Sequence, residues 1–506
     1  MIQAFDVTGV SHLSNDEVER VVYAHTGPGR TKADVEAARK GLQDAYAAKG
    51  YGAVVVEVPV QDNALFAQGI VQIAVSEVPV GQFRVTGSRH HAPEVAREQV
   101  RSIKVGEPLD LKTLQSEIAQ ASHFPDMQIS PQFKPGKVQG EIDVDLNVSD
   151  EVPWHASVEL NNDYSPTTKP LRTTANVRYT NLFQTGQSAS LTLITAPQKI
   201  KQTIVVAGSY TIPILNSPLQ LAISGYDSNS NVASLGGTDV LGVGWQAGVR
   251  LLYRLPVSSG SQSFSIGADF KDFKQRILVN GAQASSAPIT YLPIEAQYAI
   301  SGATEHSSYD ASLTVTAGLR AFHQIVCIAQ SNGSCLVADA FQNRGQYAYE
   351  NFLRANLAAN FSYAFKNDFV AALRLAGQAA DSHLVTNEQF SGGGTSTVRG
   401  YLTSEAVGDE GIEPSLELRG PSLAGLFGHW LTEARFYVFA DGALLHVQNA
   451  LAGQVTTYHL LGMGGGLKLR LFNHFSGDVL IAEPMTEGPT TMRYHPRVNF
   501  QVKGDF

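Results

Sequence analysis

The sequence predicts a mainly β protein: a C-terminal transmembrane antiparallel β-barrel of about sixteen strands behind two α+β domains. Three observations carry that expectation. From Trp154 onward, apolar and polar residues alternate over many strand lengths, with breaks of two distinct sizes. Residues 1–150 instead repeat a strand–helix–helix–strand–strand pattern. The chain also ends inside an alternating segment, at Phe506.

Composition fits this class. No apolar run of the 506 residues approaches the roughly 18 to 20 needed for a spanning helix. Mean hydropathy is near zero, charged residues are 16%, and Gly (46), Tyr (18) and Phe (23) are plentiful. A barrel averages out in this way because alternate residues face lipid and water. The net charge of −9 gives no reason to expect nucleic acid as a partner. No leader is visible, because Met1-Ile2-Gln3 runs straight into strand-like sequence, so the chain reads as a mature or truncated exported protein.

In the first repeat, Ala4–Val10 reads as a strand and Ser14 with Glu17 as a capping box opening a helix from Asn15 to near Ala24. Thr31 caps a second helix carrying Val35, Ala38, Leu42, Ala45 and Tyr46 at helical spacing, and Gly50 closes it. Strands at 53–58 and 70–76 follow. The second repeat opens on 82–87, which echoes the first Phe-x-Val-x-Gly pattern. Helices at 93–103 and 110–122 and strands at 127–134 and 140–148 complete it.

From Trp154 the period becomes two. Ala175, Val177 and Tyr179 alternate with Asn176, Arg178 and Thr180, and Leu313, Val315, Ala317 and Leu319 behave likewise. Short breaks fall at 183–187, 214–218, 257–262, 366–368 and 473–474. Long ones include 229–243, 276–287, 324–349, 381–411 and 486–495. Short turns at one end and long loops at the other are how outer-membrane barrels are built. In the last strand Val498, Phe500, Val502, Gly504 and Phe506 share one face, and closure requires it to pair with the first strand near His155–Leu160. In Arg435–Gly442, parity points Phe436, Val438 and Ala440 outward and Arg435, Tyr437, Phe439 and Asp441 into the lumen. Ser415, Glu417 and Arg419 face inward on the preceding strand.

Two segments make the pattern specific. Val398-Arg399-Gly400-Tyr401 follows the glycines 392–394 inside the sixth long break on the outward side. Phe439-Ala440-Asp441-Gly442 lies on a neighbouring wall strand. Together they resemble the two signatures of the POTRA-plus-barrel outer-membrane superfamily. The paired α+β units resemble its periplasmic POTRA domains, including Lys49-Gly50-Tyr51, Val58-Pro59-Val60-Gln61, Gly69 and Lys134-Pro135-Gly136. Two such units ahead of about sixteen strands resemble the two-partner secretion transporters (TpsB type), the haemolysin secretion and activation proteins.

The resemblance implies a first POTRA at 1–78, a second at 79–150 and a barrel at 151–506 whose loop 381–411 folds inward. It implies that Arg399 is anchored by Asp441, with Phe439 and Gly442 in the same motif and Glu417 as a second anchor, while Gly400 permits a sharp turn and Tyr401 packs on Tyr437 or Phe439. It implies that Phe500, Val502 and the terminal Phe506 form the signal read by the barrel assembly machinery. The partners would be a secreted TpsA-type exoprotein, captured unfolded in the periplasm and moved to the surface without ATP, and outer-membrane lipid. Family members often carry an N-terminal plug helix, whereas here only Met1, Ile2 and Gln3 precede the first strand. An outer-membrane protein insertase of the same superfamily is the alternative, and a passive porin a third reading.

No enzyme signature is present: there is no Gly-x-Ser-x-Gly, His-Glu-x-x-His or Gly-x-x-x-x-Gly-Lys. Gly462-Met463-Gly464-Gly465-Gly466 reads as a glycine-rich strand, and neither a metal nor another cofactor is expected. Cys327 and Cys335 sit in a polar segment whose spacing suits a surface-loop disulfide in an oxidising compartment.

Overall fold

The computed structural model describes residues 1–506 apart from 122–123, 125, 167, 215–216, 231, 236–237, 256, 258–259, 280–281, 323 and 330–333; the side chains of 232–241, 275–287, 328–329 and 335–336 also lie outside the described residues. The chain forms two compact units, Met1–Pro153 with 183–186, and the remainder.

The first unit holds two three-stranded sheets with flanking helices. In chain order these are β1 (Ala4–Thr8), α1 (Asn15–Tyr23), α2 (Lys32–Ala48), β2 (Val55–Glu57), α3 (Asn63–Ala67) and β3 (Ile70–Ser76). Then come β4 (Val80–Thr86), α4 (Pro93–Gln99), α5 (Leu111–Ala121), β5 (Met127–Pro135) and β6 (Ile142–Asp150). The Ser14–Glu17 capping box opens α1, and Thr31 with Asp34 opens α2 in the same way. Ala38, Leu42 and Tyr46 bury the inner face of α2 against Val56, Ile73 and Val75. Two expectations need correction: α4 stops at Gln99, and α3 was not foreseen because five residues carry no period. An Asp62 carboxylate accepting the Ala64 amide (2.7 Å) caps that short helix.

The sheets are ordered β1-β3-β2 and β4-β6-β5, each with a parallel and an antiparallel pair. Their registers superpose two devices. Thr8 pairs with Ala74 as Thr86 pairs with Asn147. One residue on, Gly9 (φ +81°) and Gly87 (φ +84°) turn left-handed. A Cβ at either would come within 2.1 Å of the Val75 carbonyl or 2.4 Å of the Val148 carbonyl. Three residues beyond Ala74 and Asn147 stand Glu77 and Asp150, one carboxylate at each exit strand. Glu77 accepts the Ser11 amide (2.8 Å), the Tyr46 hydroxyl (2.6 Å) and His12 Nδ1 (2.6 Å). Asp150 accepts the amides of Arg89 (3.0 Å), His90 (2.7 Å) and His91 (2.8 Å). Each unit thus ties its last strand to the loop after its first.

Sixteen strands of the second unit close one antiparallel barrel. They begin with β7 (Trp154–Asn161), β8 (Arg172–Leu182), β9 (Gln187–Thr195), β10 (Ile204–Pro213) and β11 (Leu219–Ser228). A loop hairpin, β12 (Val232–Leu235) and β13 (Thr238–Leu241), precedes β14 (Val243–Leu255), β15 (Ser261–Val279), β16 (Ala282–Ala303) and β17 (Ser307–Leu319). A second loop hairpin, β18 (Ile325–Ala329) and β19 (Cys335–Asp339), and α6 (Ala340–Arg344) lead to β20 (Leu353–Ala364) and β21 (Val370–Ala380). The third hairpin, β22 (Phe390–Gly392) and β23 (Ala406–Gly408), precedes β24 (Glu410–Arg419), β25 (Leu431–His446), β26 (Thr457–Leu471), β27 (Phe475–Pro484) and β28 (Arg497–Asp505).

Short turns (183–186, 304–306, 365–369, 472–474) alternate along the chain with long loops (320–352, 381–409, 485–496), so each kind gathers at its own end. The expected long break at 276–287 is corrected: β15 runs on to Val279 and β16 starts at Ala282, and the two stay paired through a register shift between Ile277 and Leu278. Alternation ends there, yet an antiparallel ribbon satisfies its own backbone in water without it. Phe436, Val438, Leu313 and Val315 stand exposed on the outer face, and Tyr437, Phe439 and Asp441 are buried inside. The barrel closes by β28 on β7, from Gln501↔Asn161 to Asp505↔Ser157, and Phe506 exchanges backbone hydrogen bonds with Ala156 (2.8 and 2.9 Å). The Phe506 ring meets Phe475 edge-on at 6.0 Å.

Burial pushes the Glu77 carboxyl up, but hydrogen bonds from Ser11, Tyr46 and His12 outweigh it and hold the group at about 2. A depressed acid stabilises the fold fully above its ordinary range near 4.5, and that contribution fades as pH falls towards 2. Glu77→Gln should therefore weaken the first sheet by about 1–3 kcal/mol at pH 7. Hydrogen exchange of β3 in the whole, detergent-solubilised protein measures this, and the gap between variant and wild type should shrink at pH 3.

Candidate functional site

Loop 6 (381–409), the sixth connection at the long-loop end, meets the barrel wall through Arg399. The β22–β23 hairpin carries the loop out and back, pairing Phe390 with Gly408 and Gly392 with Ala406. At its tip Val398 is fully buried, and Gly400 takes φ +100°, a left-handed turn open to glycine.

The Arg399 guanidinium binds Asp441 of β25 in a two-pronged pair: Nε to Oδ2 at 2.7 Å and Nη2 to Oδ1 at 2.8 Å. The Arg399 amide also donates to Oδ2 (3.1 Å), and Ser415 Oγ donates to Oδ1 (2.6 Å). The third side of the fork, Nη1, reaches Glu417 Oε2 of β24 at 2.6 Å. Arg419 and Lys468 each bond the other Glu417 oxygen at 2.7 Å, so Asp441 and Glu417 are both paired with cations. The guanidinium carbon lies 3.5 Å from the centre of the Phe439 ring and 5.9 Å from that of Tyr437. Planar charge stacked on an aromatic face and forked onto a carboxylate is a geometry that lysine cannot reproduce.

Tyr401 departs from expectation. It does not pack on Tyr437 or Phe439; the turn at Gly400 sends it away from Arg399, into a cluster with Val398, Ala406, Ala443, Leu445 and Leu460. Its hydroxyl bonds the Thr486 carbonyl (2.8 Å) and the Leu461 carbonyl (3.1 Å), tying loop 6 to β26 and loop 485–496. Gly442 follows Asp441 on β25, and a Cβ there would make only ordinary contacts, 3.8 Å from the Leu460 carbonyl.

Further contacts hold the tip that the sequence did not single out. Asp163, just past β7, accepts the hydroxyls of Thr395 (2.7 Å) and Thr403 (2.8 Å). Glu405 accepts the amides of Leu402 (2.8 Å), Thr490 (2.8 Å) and Thr491 (2.6 Å). Isolated acids in polar loops give no signal by which to find these pairs. Gly462 had one: it lies in the glycine-rich strand β26, where a Cβ would sit 1.9 Å from the Arg399 carbonyl.

Beside the clasp lies a lumen cavity of about 880 Å³, lined among others by Glu159, Asn176, Arg374, Glu417, Lys468 and Lys503. Phe500 and Val502 alternate along β28 with Asn499, Gln501 and Lys503, which line this cavity, and Val502 is exposed on the outer face. Cys327 is disulfide-bonded; the side chain of Cys335 lies outside the described residues, and the backbone sets Ala329 opposite Cys335 in β18–β19. Among the described residues no group of His, Cys, Asp or Glu gathers as a metal site.

A closed barrel crossed by an inward loop, with two preceding α+β units, defines the class of barrel transporters with POTRA domains. Residues 140–469 match the family described as haemolysin secretion/activation protein ShlB/FhaC/HecB, and residues 1–77 match the ShlB-type POTRA domain. The chain belongs to this haemolysin secretion/activation family of two-partner secretion transporters. Among solved structures it is similar to CdiB from Escherichia coli (18% identity, TM-score 0.70, covering 100% of this chain and 90% of that one). It is similar to CdiB from Acinetobacter baumannii (14%, TM-score 0.64, 100% and 90%). It is similar as well to BamA from Haemophilus ducreyi lacking POTRA domains 1–3 (14%, TM-score 0.55, 100% of both). At these identities the likeness is one of fold. No curated protein matches the sequence.

The contact at Gly462 yields a direct test. Gly462→Ala forces the wall or the loop to move, at about 1–3 kcal/mol for such overpacking. Trypsin should then cut at Arg399 about tenfold faster in the folded, detergent-solubilised variant than in wild type. Equal resistance would show that the wall yields and the loop does not.

Proposed function

We propose that the chain secretes an unfolded exoprotein of TpsA type: residues 1–150 capture it in the periplasm and the barrel passes it to the cell surface without ATP. The observation that carries this reading is the Arg399 clasp, which holds loop 6 across a polar lumen and lets a family transporter keep its pore closed until cargo arrives. Asp441 and Glu417 serve as the wall anchors of that clasp, and Phe500, Val502 and Phe506 as the signal read by the assembly machinery. Outward movement is biased by folding of the cargo at the surface.

Capture by strand addition needs a free sheet edge. In the first α+β unit β2 is only three residues long. Beyond it the Gln61 carboxamide occupies β3, accepting the Gln72 amide (2.7 Å) and donating to the Gln72 carbonyl (3.0 Å). In the second α+β unit the nine-residue β5 is an edge strand of its sheet. This favours residues 79–150 as the docking site. The insertase alternative draws on the BamA likeness, whereas the family match supports secretion.

Deleting residues 79–150 should abolish secretion while heat-modifiable barrel still reaches the outer membrane; undiminished secretion would refute capture by this unit. Arg399→Ala and Asp441→Ala should each impair secretion, and the double variant should be no worse than either. In a dry site losing one partner costs about 3–5 kcal/mol, and the wet lumen lowers that figure. Losses that multiply in the cycle would mean that the two residues act independently.

A further inference from the structure

Loop 6 is held at a second place, by a contact of reversed sign. Glu388 closes the helical turn Thr386–Glu388 near the start of the loop, and its carboxylate is fully buried. Its Oε1 accepts Lys271 Nζ of β15 (2.6 Å) and the Tyr291 hydroxyl of β16 (2.6 Å). Its Oε2 accepts Arg354 Nε of β20 (3.0 Å). The Lys271 ammonium also lies 5.6 Å from the centre of the Tyr291 ring. Gln378 of β21 donates to the carbonyls of Glu388 (3.1 Å) and Asp409 (2.9 Å), so a single side chain binds both stems of the loop.

The two attachments differ in their surroundings. Glu388 sits beside an apolar core of Phe273, Ile289, Phe341, Phe352, Leu384 and Val385, drawn from wall strands, loop 320–352 and loop 6 itself. Arg399, Ser415 and Glu417 line the lumen cavity, whereas Lys271, Tyr291, Arg354 and Glu388 do not. Separating Glu388 from its partners would leave a carboxylate and two cations unpaired in dry surroundings, a heavy penalty. Arg399 lines the cavity, so its guanidinium can be solvated there when it leaves Asp441, which stays buried and keeps its hydrogen bond from Ser415. Between the two points lie Gly393 and Gly394, both left-handed at φ +108° and +109°.

We propose that Glu388 is a positioning residue, the fixed root of loop 6, on which the part beyond Gly392 turns when Arg399 leaves Asp441. The inference rests on the reading of loop 6 as the element that closes the lumen, and its test is made without cargo. Lys271 and Glu388 form the pair to reverse, because each is buried and they meet at 2.6 Å.

Single-channel recording in planar bilayers reads the closure directly. Glu388→Lys and Lys271→Glu should each raise the open probability about tenfold. The double reversal, Lys271→Glu with Glu388→Lys, should return it to within about twofold of wild type, which a general loosening of the barrel would not do. Should a reversal prevent folding, as judged by heat-modifiable mobility, Glu388→Gln replaces it, with an expected rise of about threefold. Folded single variants that conduct like wild type, or a double reversal no closer to wild type than the singles, would overturn the proposal. Rescue of conductance in a protein that secretes nothing would uphold the root and defeat only the transport reading.

Discussion

An unpaired backbone amide in hydrocarbon costs several kcal/mol, and that single penalty organises everything from Trp154 to the end of the chain. It forbids a free edge, so β28 must find β7 across more than three hundred residues of intervening sequence. Phe506 completes the seam by exchanging two hydrogen bonds with Ala156. Once the edges are paired, consecutive strands must be antiparallel neighbours, and the loops sort to opposite ends without further instruction. The outward side chains, such as Phe436 and Val438, stand exposed and apolar, the pattern of a transmembrane barrel wall.

Inside the wall the problem inverts. A lumen lined with Arg374, Glu417, Lys468 and Asp478 must balance its charges locally, and it does so by alternating sign over neighbouring strands. Arg399 enters this lattice from the loop and takes a position between Asp441 and Glu417. At the other stem Glu388 performs the mirror exchange, bringing a negative charge between two cations. Loop 6 therefore contributes a charge of each sign to walls that hold the complement.

What the sequence revealed follows from the range of each interaction. The Ser14–Glu17 box, the Gly50 terminus and the strand alternation are set by residues a few positions apart, and all are readable. The Arg399–Asp441 pairing spans 42 positions and was reached only through a family resemblance. The Glu388 anchor had no such help: Lys271 lies 117 positions away and Arg354 34, on strands where a lumen charge looks like any other. Tyr401 shows a different gap. Its neighbours differ from the expected ones because the direction of a side chain after a left-handed glycine depends on a torsion that residue type permits but does not specify.

The twin carboxylates of the first unit make each α+β repeat close on itself. Glu77 and Asp150 occupy equivalent places, and among the described residues each bonds atoms of its own repeat. Both accept consecutive amides and both face a histidine, His12 or His91, while the Tyr46 hydroxyl is added at Glu77. What the two repeats share is the position of the negative charge at the exit strand and the left-handed glycine near it. A module whose closure is written entirely within itself can be copied in tandem as a cassette, and each copy can then drift in sequence while still folding in the same way.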